Sequence, residues 1–487
     1  MFFLLLFLIT FSQLSANPQM NYQSFDDGQS FIKNQIQKKI NKNKAKNVIV
    51  IVGDGYGITT NYINRLNQGQ INGGLGDEFV LPHEKLDHLA LIKTYTTNGQ
   101  TPDSAGTSTA IHSGIKTKSG IIGLTDSSIR GDCMSKRTEV ESISDIFKKL
   151  DKSVGVVTNT RITHATPAAL YAHSFDRNWE DDSKVPKNCS QDDIALQLIN
   201  SDIDLALGGG KRHFLPLESV SQKGKRTDSR NLIEEFKNSG GIYLKNENDF
   251  QNYKIDTKKR LIGLFVDSHF PYLAKEENKP SLLDLSNLAI EYLNKNKNGY
   301  YLLIEAGRID HGHHAGKLNY VLRQTQQFNK LIQNIIQNVN LQETLLIVTA
   351  DHAHSLGING YCGRGSKVNG ICYRINPKES KHQSKPNLGL DGKPFSVVNY
   401  LNGPGSIFAK KNFFYYANRK RLSNFDYDDI EFDHEALIPT FKESHSGLDV
   451  VAYASGPFSF LLNGTIEQNF LFHIINYAIK NSNIDWS

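Results

Sequence analysis

The sequence lacks a strong excess of charge of one sign. Its formal net charge is +5 over 487 residues, and much of the basic charge lies in segment 33–47, KNQIQKKINKNKAKN. No aromatic residue is interleaved with these lysines, so the segment favours a solvated amphipathic arm or first helix over a nucleic-acid-binding surface. Internal repeats are also missing. The 39% of hydrophobic residues allow a large buried core, so we expect a globular protein of one large or two ordinary domains.

Long apolar runs are scarce. The first sixteen residues, MFFLLLFLITFSQLSA, have a short apolar core and end in small residues, which predicts a signal peptide too short to span a bilayer. The C-terminal NYAIKNSNIDWS lacks the apolar tail of a lipid-anchor signal. We therefore expect a secreted protein with a signal peptide at 1–16 and an N-terminal arm or helix at 17–46. Sequons for N-glycosylation at Asn188 and Asn463 fit this route.

Cysteine is also scarce, with four residues in the chain. In an oxidising compartment they are expected to form two disulfides, and the sequence alone permits three pairings. We favour Cys362–Cys372, because these residues flank a Gly-rich turn, CGRGSKVNGIC. Cys133–Cys189 would then be the second bridge.

Widely spaced apolar, β-branched runs predict buried strands. The runs are continuous rather than alternating, which is typical of strands covered on both faces, as in a parallel sheet flanked by helices. Helical patterns lie between them, for example at 281–296 and 318–339. The runs lie at 47–54, 153–160, 203–210, 299–307, 343–352 and 449–456. They predict an α/β fold with a doubly wound, mostly parallel sheet and helices on both faces.

The domain organisation follows from a change in composition late in the chain. Segment 361–443 is rich in Gly, Pro, Lys, Asn and Tyr and has no strong periodicity. This predicts a small inserted surface subdomain rather than an independent domain. We therefore expect a single catalytic domain at 47–487 that carries the insertion.

Several predicted strands end in acidic or imidazole residues. Ligands of open α/β sheets bind beyond the carboxyl ends of the strands, so these groups are expected to converge on one rim. The residues concerned are Asp54, Glu305, Asp310, Asp351 and His352. Asp310 and His314 stand four apart, which places both on one face of a helical turn. His445 precedes the last strand among small residues, at another possible strand end.

These residue types indicate metal binding. Asp and His without Cys suit Zn²⁺ in a catalytic site that keeps positions open, whereas carboxylates with a hydroxyl and water suit Mg²⁺. Two different metals in one pocket are therefore plausible.

A candidate nucleophile lies in TPDSAGTSTAIHSG, residues 101–114. Ser104 precedes a small-residue segment that predicts the start of a helix, whose positive end suits a phosphoryl group. Taken alone, Asp103 or Ser104 is more often an ordinary N-cap. Arg177 could clamp two phosphoryl oxygens, or it could equally be a structural salt-bridge residue.

Eight blocks of this sequence occur in the order seen in alkaline phosphatases, so the chain resembles that family from about residue 47 to its end. The blocks are VGDGYG, PDSAGTST, TRITHATPAALYAH, DRNW, LGGGKRHF, IEAGRIDHGHH, TADHAH and SHSGLDVVAYASGP. The resemblance implies a dimeric metalloenzyme with two Zn²⁺ and one Mg²⁺. It implies hydrolysis of phosphate monoesters at alkaline pH through a phosphoserine intermediate, by in-line displacement between the zinc ions.

The resemblance also implies a role for each site residue. Ser104 resembles the nucleophile and Arg177 the phosphate clamp. His164 and His311 occupy positions that are histidine in animal-type members and are expected to take part in catalysis, His311 from the substrate side. His313 receives no role beyond a structural one. The implied ligands are Asp310, His314 and His445 for the first zinc, Asp54, Asp351 and His352 for the second, and Asp54, Thr166 and Glu305 for magnesium.

Some positions depart from the family pattern. A fourth, calcium-type site of animal members is carboxylate-rich, but this chain has Val266 and Lys279 at two of its positions. Neither can replace a hard oxygen ligand, so we predict no bound calcium even if Glu218 survives from that site. Thr101 and Ser108 are small changes near the nucleophile that remove no reacting group.

The sequence disfavours two other functions. A phosphodiesterase or sulfatase on this scaffold would usually carry Thr or a modified Cys as nucleophile, which the Ser104 block does not offer. A secreted phosphate- or metal-binding protein without catalysis would be favoured by the loss of Asp54, Ser104 or His314, and all three are present.

Overall fold

The computed structural model describes residues 18–217, 224–411 and 414–480. The predicted signal peptide and Glu218 lie outside the described residues. The chain divides into two compact units, residues 1–41 and residues 42–487. In the first unit a 3₁₀ turn, Pro18–Asn21, precedes helix α1, Gln23–Gln37, which has no buried residue. The sequence left open whether segment 17–46 is an arm or a first helix.

A ten-stranded sheet forms the centre of the second unit, in the order β17-β2-β16-β8-β1-β7-β3-β4-β6-β5. Its middle strands are the apolar runs of the sequence, and β1, β7 and β8 are buried along their whole length. The ten strands are β1 Asn47–Gly53, β2 His88–Lys93, β3 Ser153–Arg161, β4 Leu205–Gly209, β5 Ile242–Leu244, β6 Leu261–Leu264, β7 Tyr300–Glu305, β8 Thr344–Ala350, β16 Val450–Ser455 and β17 Thr465–Glu467.

The remaining strands form small sheets. They are β9 Ala353–His354, β10 Leu356–Ile358, β11 Val398–Gly403, β12 Phe408–Lys411, β13 Phe414–Ala417, β14 Ala436–Pro439 and β15 His445–Ser446. In the described part of the chain, none of β11 to β14 joins the central sheet. Strands β11 to β14 lie in segment 361–443. The status of this segment as an inserted subdomain stays a prediction.

Helices cover both faces of the sheet. The Tyr301 ring packs against Phe147 of α4, whereas Gly155, which pairs with Leu302, faces Leu293 of α9. Because successive residues of a strand point to opposite faces, α4 and α9 lie on opposite sides. The helices after α1 are α2 Ile58–Ile71, α3 Ser104–Ser113, α4 Ile143–Lys149, α5 Ala165–Ala168, α6 Ile194–Asn200, α7 Leu232–Asn238, α8 Glu247–Asn252, α9 Leu282–Leu293, α10 Arg308–His314, α11 Leu318–Asn338, α12 Asn424–Asp428 and α13 Phe470–Lys480. Further 3₁₀ turns lie at Pro82–Lys85, Asp182–Lys184, Lys211–Phe214 and Ser459–Leu461.

The predicted fold class is confirmed. All six apolar runs are strands of the central sheet, and both helical patterns are helices, α9 and α11. Strand β16 differs from the others, because it runs antiparallel to both of its neighbours, β2 and β8. The sheet is therefore mostly rather than wholly parallel.

One of the two favoured cysteine pairings is present. Cys362 and Cys372 form a disulfide. The other pairing, Cys133–Cys189, is wrong for this structure, in which both residues are free thiols. Their side chains pack on the same small apolar cluster, but no covalent bond joins them.

The described helices include none that is both long and apolar enough to cross a membrane.

Candidate functional site

The site lies at the carboxyl ends of four parallel neighbours, β8, β1, β7 and β3. Asp351 directly follows β8, Asp54 directly follows β1, and Glu305 is the last residue of β7. Because β1 pairs with β7 on one side and β8 on the other, the three acids are brought together from positions far apart in sequence. The convergence predicted from the strand ends is what the structure shows.

The first group is Asp310, His314 and His445. Asp310 and His314 lie four apart on α10, and their Oδ1 and Nε2 atoms are 3.4 Å apart. His445 reaches them from β15, with its Nε2 atom 3.2 Å from Asp310 Oδ1 and 3.0 Å from His314 Nε2. Three ligand-type atoms thus lie within 3.4 Å of one another, and their role as ligands of the first zinc stays a prediction.

The second group is Asp54, Asp351 and His352, whose ligand atoms lie within 4.8 Å of one another. The His352 Nε2 atom is 3.5 Å from Asp54 Oδ1 and 3.1 Å from Asp351 Oδ2. Gly55 donates its backbone N–H to Asp351 Oδ1 at 3.0 Å. At Gly55, which has φ +70°, an added Cβ would lie 2.3 Å from His354 Nε2, so this loop requires glycine.

The third group joins Asp54 to Glu305 and His164, again with ligand atoms within 4.8 Å. The Thr158 and Thr160 hydroxyls both donate to Glu305 Oε2, the latter at 2.8 Å. Glu305 Oε1 has no donor and faces the group. The Thr166 hydroxyl is near Glu305 but, like Glu305 Oε1, has no hydrogen-bond partner. The structure therefore brings Asp54, Thr166 and Glu305 to one place, and their role as magnesium ligands stays a prediction.

Ser104 is the first residue of α3, and Asp103 is its N-cap, accepting a hydrogen bond from Gly106 N at 3.2 Å. The Ser104 hydroxyl lies 3.3 Å from His352 Nε2, at the edge of the second group. Arg177 Nη1 donates to Asp103 Oδ2 at 2.9 Å, which fixes the guanidinium beside Ser104. The N-cap is therefore Asp103, and Ser104, the candidate nucleophile, is the next residue.

His164 and His311 lie next to Arg177. Arg177 Nη2 is 3.0 Å from His164 Nε2, and the His164 and His311 ring centroids are 5.7 Å apart. Burial, together with the positive charge of Arg177, lowers the pKa of His164 to about 3, so its imidazole is neutral.

Buried carboxyl groups dominate the electrostatics of the site. Asp54, Glu305 and Asp351 are 0% exposed. Burial, reinforced by the charge of Asp351, raises the pKa of Asp54 well above its usual value, and burial raises that of Asp351 to about 6. Both Asp54 oxygens, Asp351 Oδ2 and Glu305 Oε1 have no hydrogen-bond donor. Converging buried carboxylates without donors are the arrangement that bound cations stabilise, so these residues fit metal ions.

Two residues of the site were missed by the sequence reasoning. His354 Nε2 is 2.8 Å from Asp310 Oδ1, and its Nδ1 is 2.6 Å from Glu443 Oε2. Burial disfavours a charged ring, but Glu443 and Asp310 outweigh it and raise the pKa of His354 to about 10. The i, i+2 spacing of His352 and His354 in TADHAH was the available signal. No sequence signal pointed to Glu443, because its partners His354 and Ser355 lie in a distant segment of the chain.

His313 is structural, as expected. It is buried, and its ring nitrogens lie 3.0 Å from the Thr60 hydroxyl and 2.9 Å from the Tyr400 hydroxyl. Both of its hydrogen-bonding atoms are therefore occupied away from the acidic groups.

The sequence profile of one family, alkaline phosphatase, matches residues 45–481. The chain belongs to the alkaline phosphatase family. It is 36% identical to an alkaline phosphatase of Gadus morhua over 459 residues, covering 90% of this chain and 92% of that protein. It is 34% identical to the human tissue-nonspecific isozyme over 475 residues, covering 93% and 87%.

Solved alkaline phosphatases share the fold. The enzyme from the Antarctic bacterium TAB5 superimposes with a TM-score of 0.62 at 22% identity, covering 91% of this chain and all of that one. The alkaline phosphatase of Thermus thermophilus superimposes with a TM-score of 0.64 at 20% identity, covering 91% of this chain and 93% of that one. As a member of the family, this chain is a phosphoric monoester hydrolase with a metal cofactor, and phosphate monoesters are its substrates.

Proposed function

We propose that hydrolysis proceeds through a phosphoserine formed on Ser104. The observation that carries this proposal is the position of the Ser104 hydroxyl, at the N-terminus of α3 and 3.3 Å from His352 Nε2. The backbone N–H groups of the first helical turn point toward an incoming phosphoryl group and favour its negative charge. Arg177 offers a fork of donors to two of its oxygens.

Residues around Ser104 orient the groups that bind the phosphoryl group. Asp103 holds the Arg177 guanidinium in place while capping α3, so nucleophile and clamp are oriented by one carboxylate. His164 accepts from Arg177 and remains neutral, which keeps the clamp directed at the phosphoryl position. His311 lies behind His164, where it orders polar groups or water that contact the substrate.

Three ions are proposed for the three groups. Asp310, His314 and His445 would hold one zinc, Asp54, Asp351 and His352 the second, and Asp54, Thr166 and Glu305 magnesium, with Asp54 shared. When bound, such ions supply positive charge that lowers the pKa of attacking hydroxyl groups and stabilises negative charge on the attacking and leaving oxygens. The mixed imidazole and carboxylate donors of the first two groups suit zinc, whereas the oxygen donors of Asp54, Thr166 and Glu305 suit magnesium.

A fourth, calcium-type site is proposed to be absent. Val266 offers no ligand there, and the neighbouring Asp267 is paired with Lys211, whose Nζ lies 3.2 Å away. Calcium added to the metal-stripped protein is expected to leave its melting temperature unchanged. A calcium-dependent rise would contradict this.

We also propose a secreted, glycosylated homodimer. Asn188 and Asn463 are exposed, as acceptor sites must be. The dimer rests on family resemblance, and light scattering of the purified protein would test it. A monomeric mass would refute it.

Replacing the Ser104 hydroxyl tests the proposed chemistry. Ser104→Ala is expected to lower kcat for p-nitrophenyl phosphate by at least about a thousandfold, because no nucleophile remains to form the covalent intermediate. Ser113→Ala, at the other end of α3, is the matched control and should retain activity. Near-wild-type turnover of the Ser104 variant would refute the assignment.

A further inference from the structure

The site has a basic surface of which the proposed chemistry uses only His311. We name it the cationic wall and define it as Arg161, His269, His311 and Arg308. The His269 and His311 ring centroids are 4.2 Å apart. Arg161 contacts the His269 ring at one end, and Arg308 Nη1 lies 2.9 Å from His311 Nδ1 at the other.

The wall adjoins the position proposed for the transferred phosphoryl group. His164, which accepts from Arg177, has its ring centroid 5.6 Å from that of His269 and 5.7 Å from that of His311. One imidazole therefore separates the clamp from the wall. The Arg161 and His164 side chains are 15% and 11% exposed, so this face opens to solvent beside the site.

The two arginines of the wall differ in whether an acidic side chain pairs with them. Arg161 is paired with Glu180 through two hydrogen bonds of 2.7 Å. Arg308 is only 8% exposed and, within residues 18–217, 224–411 and 414–480, forms no ion pair, and its Nε has no acceptor. Its other neighbour is the Tyr272 ring, whose centroid is 3.6 Å from the guanidinium carbon.

An unpaired, largely buried guanidinium is costly unless an anion meets it. The nearest acid in sequence, Asp310, is already engaged by His314, His354 and His445. Neutral imidazoles and a tyrosine ring orient Arg308 but do not neutralise it. An anion from outside the chain, placed one imidazole beyond the phosphate clamp, would supply that charge.

We propose that the cationic wall is a subsite for a second anionic group on the leaving alcohol of the substrate. Its preferred substrates are phosphate monoesters whose alcohol also carries a carboxylate or a further phosphate a few bonds from the ester oxygen. The inference rests on the proposed function, because the ester must bind at Ser104 and Arg177. It adds a selectivity that those residues alone do not supply.

A matched pair of substrates isolates the second charge. Glycerol 2-phosphate and glycerate 2-phosphate have leaving alcohols of similar size, and only the second carries a carboxylate. The readout is the ratio of kcat/KM for glycerate 2-phosphate to that for glycerol 2-phosphate. Arg308→Gln is expected to lower this ratio about tenfold, the usual effect of losing one charge-assisted hydrogen bond. Arg308→Lys keeps the charge and should retain part of the ratio.

A second variant guards against effects on folding near α10. His269→Leu removes the imidazole that holds Arg161 in the wall and should lower the ratio about threefold. Arg230→Gln, an exposed arginine paired with Glu235, is the control and should leave the ratio unchanged. Melting temperature and metal content are measured for each variant. If Arg308→Gln fails to fold or to retain metal, His269→Leu decides alone.

A ratio within about twofold of wild type in both wall variants would overturn the proposal. Equal losses on both substrates would also overturn it, because the wall would then act on the ester phosphate itself. Wild-type turnover of glycerol 2-phosphate reports separately on the proposed function. Its absence would refute that function rather than the subsite.

Discussion

At the scale of single residues, Asp54 connects two of the three candidate metal-binding groups. It belongs both to the group with Asp351 and His352 and to the group with Glu305, and it is fully buried without a hydrogen-bond donor. Its place directly after a buried strand identified it as a candidate from the sequence. Its shared position came only from the family resemblance, because spacing along the chain does not show which distant acids meet.

Asp351 predicts how metal binding depends on pH. Burial raises its pKa to about 6, so below that pH a metal ion must displace a proton from the carboxylate. The affinity of the metal-stripped protein for zinc should therefore rise with pH up to about 6, roughly tenfold per unit for each proton displaced, and change less above it. Competition with a chelator at pH 5, 6 and 7 measures this. An affinity that does not vary over this range would contradict the role of Asp351.

At the scale of elements, Asp103 at the start of α3 both caps the helix and holds Arg177, and substitution can separate these two roles. Asp103→Asn keeps an N-cap side chain but loses the charge that pairs with Arg177, whereas Asp103→Ala loses both. The alanine variant should be less stable than the asparagine variant by about 1 kcal/mol. Both should bind substrate less well. Chemical denaturation compares their stabilities, and equal values would show that Asp103 does not cap the helix.

Long elements were predictable and short ones were not. Strand β8 and helix α11 follow from a continuous apolar run and a helical pattern, each long enough to be distinctive. Strands β5 and β17 have three residues each, too few for a pattern, and were not predicted. The reversed direction of β16 depends on its connections, which its residues do not encode.

Contacts between residues close in sequence were predictable, whereas contacts between distant residues were not. The Cys362–Cys372 disulfide closes a short turn and could be proposed from proximity along the chain. Cys133 and Cys189 are brought near each other by packing on a shared apolar cluster, and their neighbourhood did not decide whether they are bonded. His354 and Glu443 were missed for a related reason, since each acts through residues that the fold supplies.

At the scale of the whole molecule, the three groups draw on segments from Asp54 to His445, so metal binding and folding should be coupled. Asp54→Asn is expected to lower the metal content by two ions per chain, whereas His314→Ala should lower it by one. Both should melt at lower temperature than the metal-loaded wild type, because ions that bind only the folded state stabilise it. Elemental analysis with calorimetry measures both. Equal metal losses in the two variants would contradict the shared role of Asp54.

The most direct test of the account is to trap the covalent intermediate. The enzyme is mixed with a phosphate monoester, quenched in acid and cleaved with trypsin, and the peptide spanning residues 94–116 is fragmented in a mass spectrometer. One added phosphoryl group is expected on Ser104, and it should be absent without substrate and absent in Ser104→Ala. A phosphoryl group on another residue, or continued turnover with no phosphorylated peptide under any quench condition, would contradict it.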